Sequence, residues 1–475
     1  MGTSSCFHVT QVEEIKRIIG EGLYESEVVG PNGSPVSGGS RIKYLAAAIG
    51  DSRFANSLQD RSTATPQVRV NWSNQGALFW LNFLTYQVID LPYTYDKAVS
   101  GATTADIANQ VAGILALLPR PSICFINGGT NSFAAASTYA QVLASYADIT
   151  SAANVLMAAG ITPVIEVDAP RTVASWSANA RSCSIAYNKL IRQWCRDNGV
   201  RCADSESMMV QVSGASAGDP VAGYNLADGV HQSCSGAIVR GLAIQAALSG
   251  MLPTWGQQSS NPLDLYDATY NPGGNLITVG QMLGTAGANS GSGASGACPT
   301  GWTNQVVSGT ATCVASKESP RNDARMGDAA VQTIVATTAS VTRLAPTGGI
   351  TTTGKLAAGD VVFGEIDCEL SALSGVVDYA QLNVFDFDGV VSGSLSIAGK
   401  NTLASGLNPL PALPMARNSG GTLLSTLRGR LITAPITIGQ GITSTTVHFR
   451  AEVSLAAGAS TTVKWGDAIL RKVVS

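Results

Sequence analysis

The chain has 475 residues, of which 45% are hydrophobic and 13% charged, and its net charge is -3. A chain of this length and composition can bury the cores of two or three domains, which excludes disorder over most of its length. The small negative charge excludes nucleic acid and anionic membrane surfaces as expected partners. No apolar run is long enough to span a bilayer, and the first twenty residues lack the apolar segment of a signal peptide.

Residues 1–43 are predicted to form an N-terminal lead-in. Thr10 and Glu13 have the spacing of a helix capping box, and apolar residues follow at roughly helical intervals. A loop rich in Gly, Ser and Pro then covers residues 31–40. Such a segment is typical either of the end of a larger upstream module or of an addition to the edge of the next domain.

Residues 44–255 alternate between predicted strands and helices. Strands are expected at residues 44–49, 88–99, 122–126, 161–167 and 200–203. Helices are expected at residues 74–86, after Thr103 or Thr104, over a long stretch around residues 142–156, and at residues 178–198 and 235–248. This alternation predicts an α/β domain with a parallel sheet covered on both faces.

The composition changes near residue 255. Gly, Ser, Thr and Asn dominate the following fifty or so residues, so residues 256–319 are predicted to be a linker or the loop-rich start of a new module. Residues 320–475 have an all-β pattern, with strict alternation of apolar and polar side chains at residues 447–455. Further strands are predicted at residues 361–370, 382–387, 423–438 and 461–470. These short strands predict a β-sandwich or jelly roll.

The nine cysteines leave two interpretations open. Candidates for disulfides are Cys298 with Cys313, and pairs within the group Cys183, Cys195, Cys202 and Cys234. The alternative is that most of the cysteines are small buried thiols. No two cysteines have the C-x-x-C spacing, so a zinc site is not expected.

Gly50-Asp51-Ser52 directly follows the first predicted strand of the α/β region. Ligands bind at the carboxyl ends of strands in open α/β sheets, so Ser52 is either a nucleophile or an ordinary turn residue. A competing serine, Ser216, lies in a G-x-S-x-G sequence. Its flanks are loop-like, with Asp219-Pro220 close behind, whereas a nucleophile elbow needs a strand and a helix. We therefore interpret Ser216 as a loop residue.

A serine nucleophile needs a neighbouring base, which is usually histidine. The chain has three histidines, and only His231 lies in the α/β region, because His8 belongs to the lead-in and His448 to a predicted β-strand. Asp228 precedes His231 by three residues. In a turn, this spacing lets the carboxylate bind one ring nitrogen while the other faces the serine. The alternative is a surface histidine with a nearby turn aspartate.

Donors for an oxyanion hole are expected at the same edge of the sheet. Gly101 follows the second predicted strand and can present its backbone N–H without a side chain in the way. Asn131 follows the third strand and can present its side-chain amide. Either residue alone is also a plausible turn residue. Their occurrence together, in the loops that follow successive strands, favours the functional interpretation.

Four short sequence blocks resemble those of the SGNH (GDSL) hydrolase family, in the family's order, and the resemblance covers roughly residues 44–253. The blocks are Gly50-Asp51-Ser52, Gly101, Gly129-Thr130-Asn131 and Asp228-Gly229-Val230-His231. The resemblance implies a flavodoxin-like three-layer α/β/α fold and a carboxylic ester hydrolase that needs no cofactor. It implies that Ser52 is the nucleophile, His231 the general base and acid, and Asp228 the orienting carboxylate. It also implies an oxyanion hole formed by the N–H groups of Ser52 and Gly101 and the amide of Asn131.

Two positions depart from the family's pattern. The third block usually reads Gly-x-Asn-Asp, and here Ser132 replaces the aspartate. Arg53 directly after the nucleophile is also unusual, and we expect it to narrow the site or to contact a polar substrate.

The substrate is expected to be an acetylated glycan. The predicted loops around the site contain a mixed polar and aromatic set that suits a sugar-bearing ester: Arg53, Arg171, Trp176 and Tyr224. Arg53 and Trp176 are the predicted substrate contacts, although Trp176 also fits a packing residue at a helix start. The C-terminal module is similar to the jelly-roll modules of carbohydrate-active enzymes and bacteriophage tail proteins. Together these features predict removal of O-acetyl groups from a polysaccharide, outside the cell or on a virion.

Two other classes of function stay open. One is a phage-tail or cell-surface protein that binds glycans and carries a vestigial hydrolase domain. The other is a lipase or thioesterase for long acyl chains. The oligomeric state is not predicted, although a trimer would fit a tail-derived protein.

Overall fold

The computed structural model describes residues 24–25, 28–29, 35–36, 42–55, 75–211, 213, 216–252, 263–322, 327–351, 353–387, 395–404, 409–416, 423–433, 435–438 and 446–473. The predicted capping box at Thr10, together with Cys6 and His8, lies outside these residues. Three short strands belong to the lead-in: β1 (Tyr24–Glu25), β2 (Val28–Val29) and β3 (Pro35–Val36). β2 pairs with β3, and β1 pairs antiparallel with the start of the first long strand.

A parallel sheet forms the centre of the α/β domain. Its strands are β4 (Ile42–Ile49), β5 (Ile89–Asp90), β6 (Ile123–Asn127), β7 (Thr162–Glu166) and β8 (Arg201–Ala203). They lie in the order β5-β4-β6-β7-β8, with each pair parallel. Residues 45–49 are all buried, as expected for a strand covered on both faces. The strand order reverses between β4 and β6, and the crevice there is the usual ligand site of such a sheet.

Helices cover the sheet, and several begin with the side-chain caps that their sequences predict. The helices are α1 (Ser52–Ala55), α2 (Ala77–Leu84), α3 (Thr104–Leu115), α4 (Tyr139–Ala158), α5 (Ala178–Asp197), α6 (Ser205–Met209) and α7 (Cys234–Ala247), with 3-10 turns at Tyr93–Tyr95 and Val173–Ser175. Of the two threonines proposed as the cap of α3, Thr103 is the one that caps it, in a capping box with Asp106. The predicted three-layer α/β/α domain is therefore confirmed.

The second predicted strand is shorter than expected. Only Ile89–Asp90 pair as a strand, because Pro92 lacks an N–H group and a 3-10 turn follows. The chain then returns to the edge of β4, where the N–H groups of Lys97 and Val99 donate to the carbonyl groups of Ala48 and Gly50 at 2.8 and 3.0 Å. This return places the following glycine loop beside the end of β4.

Two mixed sheets form the C-terminal module and share one hydrophobic core, as the predicted sandwich requires. The first contains, in order, β10 (Ala294–Gly296), β12 (Ala311–Glu318), β13 (Ala329–Ala336), β24 (Ser460–Lys472), β16 (Val361–Ser374) and β21 (Thr426–Ile432), with β22 (Ile436–Thr437) also on β16. The second contains, in order, β18 (Leu395–Thr402), β17 (Val377–Phe387), β23 (Thr446–Leu455), β14 (Ser340–Pro346), β11 (Trp302–Ser308) and β9 (Ala288–Ser290), with β15 (Ile350–Thr351) also on β23. A separate pair is β19 (Met415–Ala416) with β20 (Leu423–Leu424).

The Gly- and Ser-rich stretch is part of this sandwich, so it fits the predicted loop-rich start of a module and not a linker. The sandwich also begins before residue 320, the boundary that the sequence predicted. β9 pairs with β11 and β10 pairs with β12, so the low-complexity segment supplies an edge strand to each sheet. The small side chains permit this, because the backbone of β9 and β10 passes close to neighbouring strands. A Cβ on Gly296, for example, would lie 2.1 Å from the carbonyl oxygen of Ala315.

The two modules pack against each other through α2. All eight side chains of this helix are buried, and it lies between α7 and β21. Phe83 meets the sandwich where Gly429 allows close approach, since a Cβ on Gly429 would lie 2.1 Å from the Phe83 carbonyl oxygen. The amide of Gln87 donates to the carbonyl oxygen of Arg430 at 3.0 Å. One continuous hydrophobic core therefore includes α2, α7 and both sheets of the sandwich.

The eight cysteines of the described residues are free thiols, and most are buried. The proposed pair is not bridged: the Cys298 thiol donates to the carbonyl oxygen of Trp302 at 3.4 Å, and the Cys313 thiol to the side chain of Asn304 at 3.0 Å. Burial raises the pKa of Cys298 to about 11 and that of Cys313 to about 12. In the described part of the chain, no helix is both long and apolar enough to cross a membrane.

Candidate active site

Ser52 is the first residue of α1 and follows the turn at the end of β4. The carboxylate of Asp51 accepts a hydrogen bond from the N–H of Arg53 at 2.9 Å, which closes this turn. Gln110 on α3 holds the turn from the other side: its amide oxygen accepts from the Gly50 N–H at 2.8 Å, and its amide nitrogen donates to the Gly50 carbonyl at 3.0 Å. The backbone that presents Ser52 is therefore fixed on both sides.

The loop before α7 brings His231 to Ser52. Nε2 of His231 lies 2.9 Å from Oγ of Ser52, and Nδ1 of His231 lies 2.7 Å from Oδ2 of Asp228. The other carboxylate oxygen of Asp228 accepts from the backbone N–H groups of Val230 and His231 at 2.8 and 2.9 Å. The three side chains that the sequence analysis singled out thus form one hydrogen-bonded chain.

The surroundings of Asp228 keep its carboxyl group ionised. Burial by itself would raise its pKa, but hydrogen bonds from the His231 ring and from the Val230 and His231 backbone outweigh this and lower the pKa below its usual range. An ionised carboxylate at Nδ1 places the ring proton on that nitrogen. Nε2 is then left with a lone pair toward Ser52, which is the arrangement a general base requires.

Gly229 lets this loop pack closely on the segment after β7. Its φ is +69°, and a Cβ there would lie 2.1 Å from Oγ1 of Thr172. The N–H of Thr172 donates to the Gly229 carbonyl at 3.0 Å, and Oγ of Ser175 donates to the same oxygen at 3.1 Å. The position of Asp228 and His231 is thus set by the residues that follow β7.

The two predicted oxyanion donors lie in loops that are bonded to each other. Nδ2 of Asn131 donates to the carbonyl oxygen of Ala102, next to Gly101, at 3.1 Å. This bond uses one of the two amide hydrogens of Asn131 and leaves the second for a ligand. Gly101 is exposed and has a φ of +84°, while a Cβ there would meet no atom within 4 Å. Glycine is therefore favoured at this position because of its positive φ, and not because a larger side chain would clash with neighbouring atoms.

Ser132, which stands where the family has aspartate, supports the same loop. Its Oγ accepts a hydrogen bond from the backbone N–H of Thr104 at 3.0 Å, at the beginning of α3. A hydroxyl oxygen thus satisfies a helix N-terminal donor there, as a carboxylate oxygen would. The substitution leaves the neighbouring Asn131 tied to the glycine loop.

Arg53 was predicted to contact the substrate, and the structure contradicts this because the Arg53 side chain is fully buried. Nη1 of Arg53 donates to Asp168 at 2.7 Å and to the carbonyl oxygen of Ala169 at 2.6 Å. Nη2 donates to the carbonyl oxygen of Val230 at 3.1 Å. Val230 directly precedes His231. Arg53 therefore links the nucleophile turn to the histidine loop from beneath the site.

A second buried arginine extends this network. Arg240 on α7 forms a two-fold ion pair with Glu166, at 2.7 and 2.6 Å, and donates to Gln232 at 2.6 Å. This network was not predicted from the sequence. Its signal was the presence of charged residues inside otherwise apolar elements, Glu166 at the end of β7 and Arg240 within α7, because buried charges of this kind are usually paired.

Of the other residues predicted around the substrate, Tyr224 is buried, whereas Trp176 and Arg171 are partly exposed. Tyr224 is buried in the core and does not line the site, which corrects its assignment to the polar and aromatic set. Trp176 is half-buried and packs against the core of the α/β domain just before the cap of α5. Its ring lies under the guanidinium of Arg171, 5.5 Å from the ring centroid. Arg171 and Trp176 therefore form one unit beside the histidine loop.

Ser216 and His448 do not belong to this constellation. Ser216 lies in an exposed turn, and both ring nitrogens of His231 are engaged by Asp228 and Ser52. His448 lies on β23 of the sandwich, where its ring stacks on Phe385. Burial and two neighbouring arginines lower the pKa of His448 to about 4, so it is neutral at physiological pH. Within the described residues, no cluster of His, Cys, Asp and Glu has the arrangement of a metal site.

Comparison with known families identifies the first domain. Residues 48–237 match the GDSL-like lipase/acylhydrolase family. The chain therefore contains a GDSL-like lipase/acylhydrolase domain, and the resemblance drawn from the four sequence blocks is confirmed over these residues. The family supports a carboxylic ester hydrolase as the class of enzyme. The comparison with curated proteins gave no match.

Solved structures of similar proteins come from several bacteria. A GDSL-like lipase from Bacteroides thetaiotaomicron is 16% identical over 43% of this chain and 87% of its own, with a TM-score of 0.32. A lipase/acylhydrolase from Enterococcus faecalis is 13% identical over 45% of this chain and 99% of its own, with a TM-score of 0.33. The psychrotrophic esterase EstA from a Pseudoalteromonas species is 12% identical over 44% of this chain and 99% of its own, with a TM-score of 0.32.

Proposed function

We propose that the protein is a serine esterase that removes short acyl groups, in particular O-acetyl groups, from a polysaccharide. The single observation that supports a serine mechanism is the hydrogen-bonded chain from Ser52 through His231 to Asp228, with distances of 2.9 and 2.7 Å. In this hydrogen-bonded triad the Ser52 hydroxyl has a base beside it, and the His231 ring has a carboxylate that orients it.

The proposed reaction has two halves. Oγ of Ser52 attacks the ester carbonyl while Nε2 of His231 takes the hydroxyl proton, and the alcohol leaves with a proton from His231. Water, activated by the same nitrogen, then attacks the acyl-enzyme, releases the acid and restores Ser52. Asp228 orients the ring and stabilises its positive charge in both halves.

The tetrahedral intermediates of both halves carry a negative oxygen. In this proposal the oxygen accepts hydrogen bonds from the N–H groups of Ser52 and Gly101 and from the second amide hydrogen of Asn131. No metal or organic cofactor takes part in this scheme.

A glycan is the proposed alcohol part of the ester. The half-buried Trp176, with Arg171 over its ring, offers an aromatic and polar surface close to the histidine loop, which suits a sugar better than a long acyl chain. A surface polysaccharide as substrate also implies an extracellular or virion-associated protein.

The test is hydrolysis of p-nitrophenyl acetate by the wild-type protein, Ser52→Ala and Ser216→Ala. We expect turnover by the wild type and by Ser216→Ala, and none by Ser52→Ala, because the ring nitrogens of His231 are engaged by Ser52 and Asp228. Activity retained by Ser52→Ala would exclude the proposed nucleophile. Inactivity of all three, together with glycan binding, would instead support a glycan-binding protein with a vestigial hydrolase domain.

A further inference from the structure

Arg171 is held in a fixed position between two parts of the candidate site. Its Nε donates to Oγ1 of Thr130 and its Nη2 to the Thr130 carbonyl, both at 2.8 Å. Thr130 directly precedes Asn131. The next residue after Arg171, Thr172, is bonded to Gly229 in the histidine loop. The guanidinium is therefore bonded to the loop that carries Asn131, while the backbone of the following residue is bonded to the loop that carries His231.

The charge of Arg171 is not neutralised by a direct ion pair. None of the ion pairs among the described residues involves Arg171. The neighbouring carboxylates are engaged elsewhere, since Asp168 binds Arg53 and Asp228 binds His231. Burial, followed by the charge of Arg53, lowers the pKa of Arg171, and the charges of Asp168, Asp51 and Asp228 only partly offset this shift.

The surroundings of Arg171 limit what it can do. The guanidinium is held by hydrogen bonds to Thr130 and lies over the ring of Trp176. A half-buried guanidinium that is pre-positioned in this way loses little conformational entropy on binding a ligand. A planar guanidinium binds carboxylates and phosphates through charge-assisted hydrogen bonds, and a carboxylate is the anionic group of acidic sugars.

We infer that Arg171 binds a carboxylate on the sugar part of the substrate, so that the preferred ester is an O-acetylated acidic glycan such as a uronic acid. Trp176 supports the guanidinium from below and contributes an apolar face beside the sugar ring. Because the proposed acyl group is a small acetyl group, the carboxylate belongs to the alcohol part of the ester. This inference rests on the proposed esterase function.

The test compares two substrates that differ in one charge. Acetate release is measured from an O-acetylated glucuronoside and from the corresponding uronamide, in which a neutral amide replaces the carboxylate. We expect the wild type to have a kcat/KM about 10- to 100-fold higher for the acid, mainly through a lower KM, because hydrogen bonds between charged groups supply a difference of this size. Added salt should reduce the preference.

Variants of Arg171 test whether this residue causes the preference for the acid substrate over the amide. In Arg171→Gln the ratio between the acid and the amide should fall to about one, while Arg171→Lys, which keeps the charge, should retain part of it. Arg196→Gln is the matched control, because Arg196 lies on the exposed surface of α5, 70% exposed, and should keep the wild-type ratio. An unchanged ratio in Arg171→Gln would overturn the inference, as would a wild type that does not distinguish the two substrates.

Failure of this inference can be separated from failure of the proposed function. If the wild type hydrolyses p-nitrophenyl acetate but shows no preference for the acid, the esterase proposal stands and the role of Arg171 is refuted. If the wild type hydrolyses none of the esters, the esterase proposal itself fails.

Discussion

At the scale of single residues, the site depends on hydrogen-bond donors that are only half used. Asn131 has one amide hydrogen bonded to Ala102 and another left over. The first bond fixes the amide plane, and the second hydrogen can then point at the position of an oxyanion without reorganisation. A donor fixed in advance stabilises the transition state more than a mobile one.

Replacement of Asn131 by alanine should therefore lower kcat on the order of 100- to 1000-fold. The KM for p-nitrophenyl acetate should change much less, because the carbonyl oxygen gains full charge only in the transition state. Steady-state kinetics measure both values, and circular dichroism shows whether the variant is folded. A loss of kcat below about threefold would show that Asn131 is not an oxyanion donor.

Asp51 provides a second test at this scale, through pH. Burial raises its pKa to about 6 from 3.8, although the charge of Arg53 opposes the shift. A raised pKa means that the folded protein binds the proton more tightly than the unfolded chain. The stability contributed by this proton is fully present below about pH 4 and is lost as the pH rises through about 6.

Asp51→Asn should thus gain stability relative to the wild type as the pH increases. The asparagine oxygen can still accept the hydrogen bond from the Arg53 N–H, and no charge has to be buried. Between pH 4 and pH 8 the gain should reach about 3 kcal/mol at most, since each unit of pKa difference corresponds to about 1.4 kcal/mol. Urea denaturation at the two pH values measures it. A difference between the two proteins that does not vary with pH would contradict this role of Asp51.

At the scale of elements, Arg53 connects three chain segments that carry or support the site. It extends from α1, binds Asp168 and Ala169 after β7, and reaches Val230 in the histidine loop. It touches neither the nucleophile nor the base through its side chain. We therefore regard Arg53 as a positioning residue that sets the distance between Ser52 and His231.

Arg53→Met should lower kcat by about 10- to 100-fold with little change in KM, because small displacements of a base from its nucleophile have effects of this size. Arg53→Lys, which can still bind Asp168, should restore part of the activity. The change to methionine leaves Asp168 buried without its ion-pair partner, so the double variant Arg53→Met/Asp168→Asn separates stability from positioning. If the double variant regains wild-type kcat, the arginine stabilises the fold and does not position the base.

At the scale of the whole molecule, the hydrolase domain and the sandwich share a core across α2. Every residue of this helix, including Asn82, is buried, so neither module can dissociate without exposing a largely apolar surface. Relative motion of domains is expected only where the interface is small or polar. We therefore expect the two modules to unfold as one cooperative unit.

Gly429→Ala should disrupt this interface, because the new methyl group would lie 2.1 Å from the Phe83 carbonyl oxygen and the sheet would have to shift. The expected cost is about 1–3 kcal/mol, as for other overpacked sites. Differential scanning calorimetry should show a single transition for the wild type and a lower Tm for the variant. Gly113→Ala on α3 is the control, since its methyl would meet only the Lys97 side chain, 3.7 Å away, and should be neutral or slightly stabilising.

Local features of the site could be predicted because they depend on short-range physics. The turn from Asp228 to His231, the cap at Thr103 and the Gly-Asp-Ser turn each involve residues within a few positions of one another. The preferences of carboxylate and hydroxyl groups for nearby N–H groups determine such structures with little help from the rest of the fold. The alternation of strands and helices could likewise be predicted, because it follows from the local periodicity of apolar residues.

The remaining features depend on contacts between distant positions, which local patterns do not specify. Ser52 and His231 are 179 positions apart, and Arg53 and Asp168 are 115 apart. Arg53 was predicted to face the substrate because nothing near it in the sequence signals Asp168. The Gly- and Ser-rich stretch suited either a linker or the loop-rich start of a module, because small residues fit both loops and crowded edge strands. By itself the sequence determined which groups the site contains, through short-range preferences. Only the tertiary packing decided which of them are buried, which are paired and which face a ligand, because burial and charge pairing depend on the whole fold.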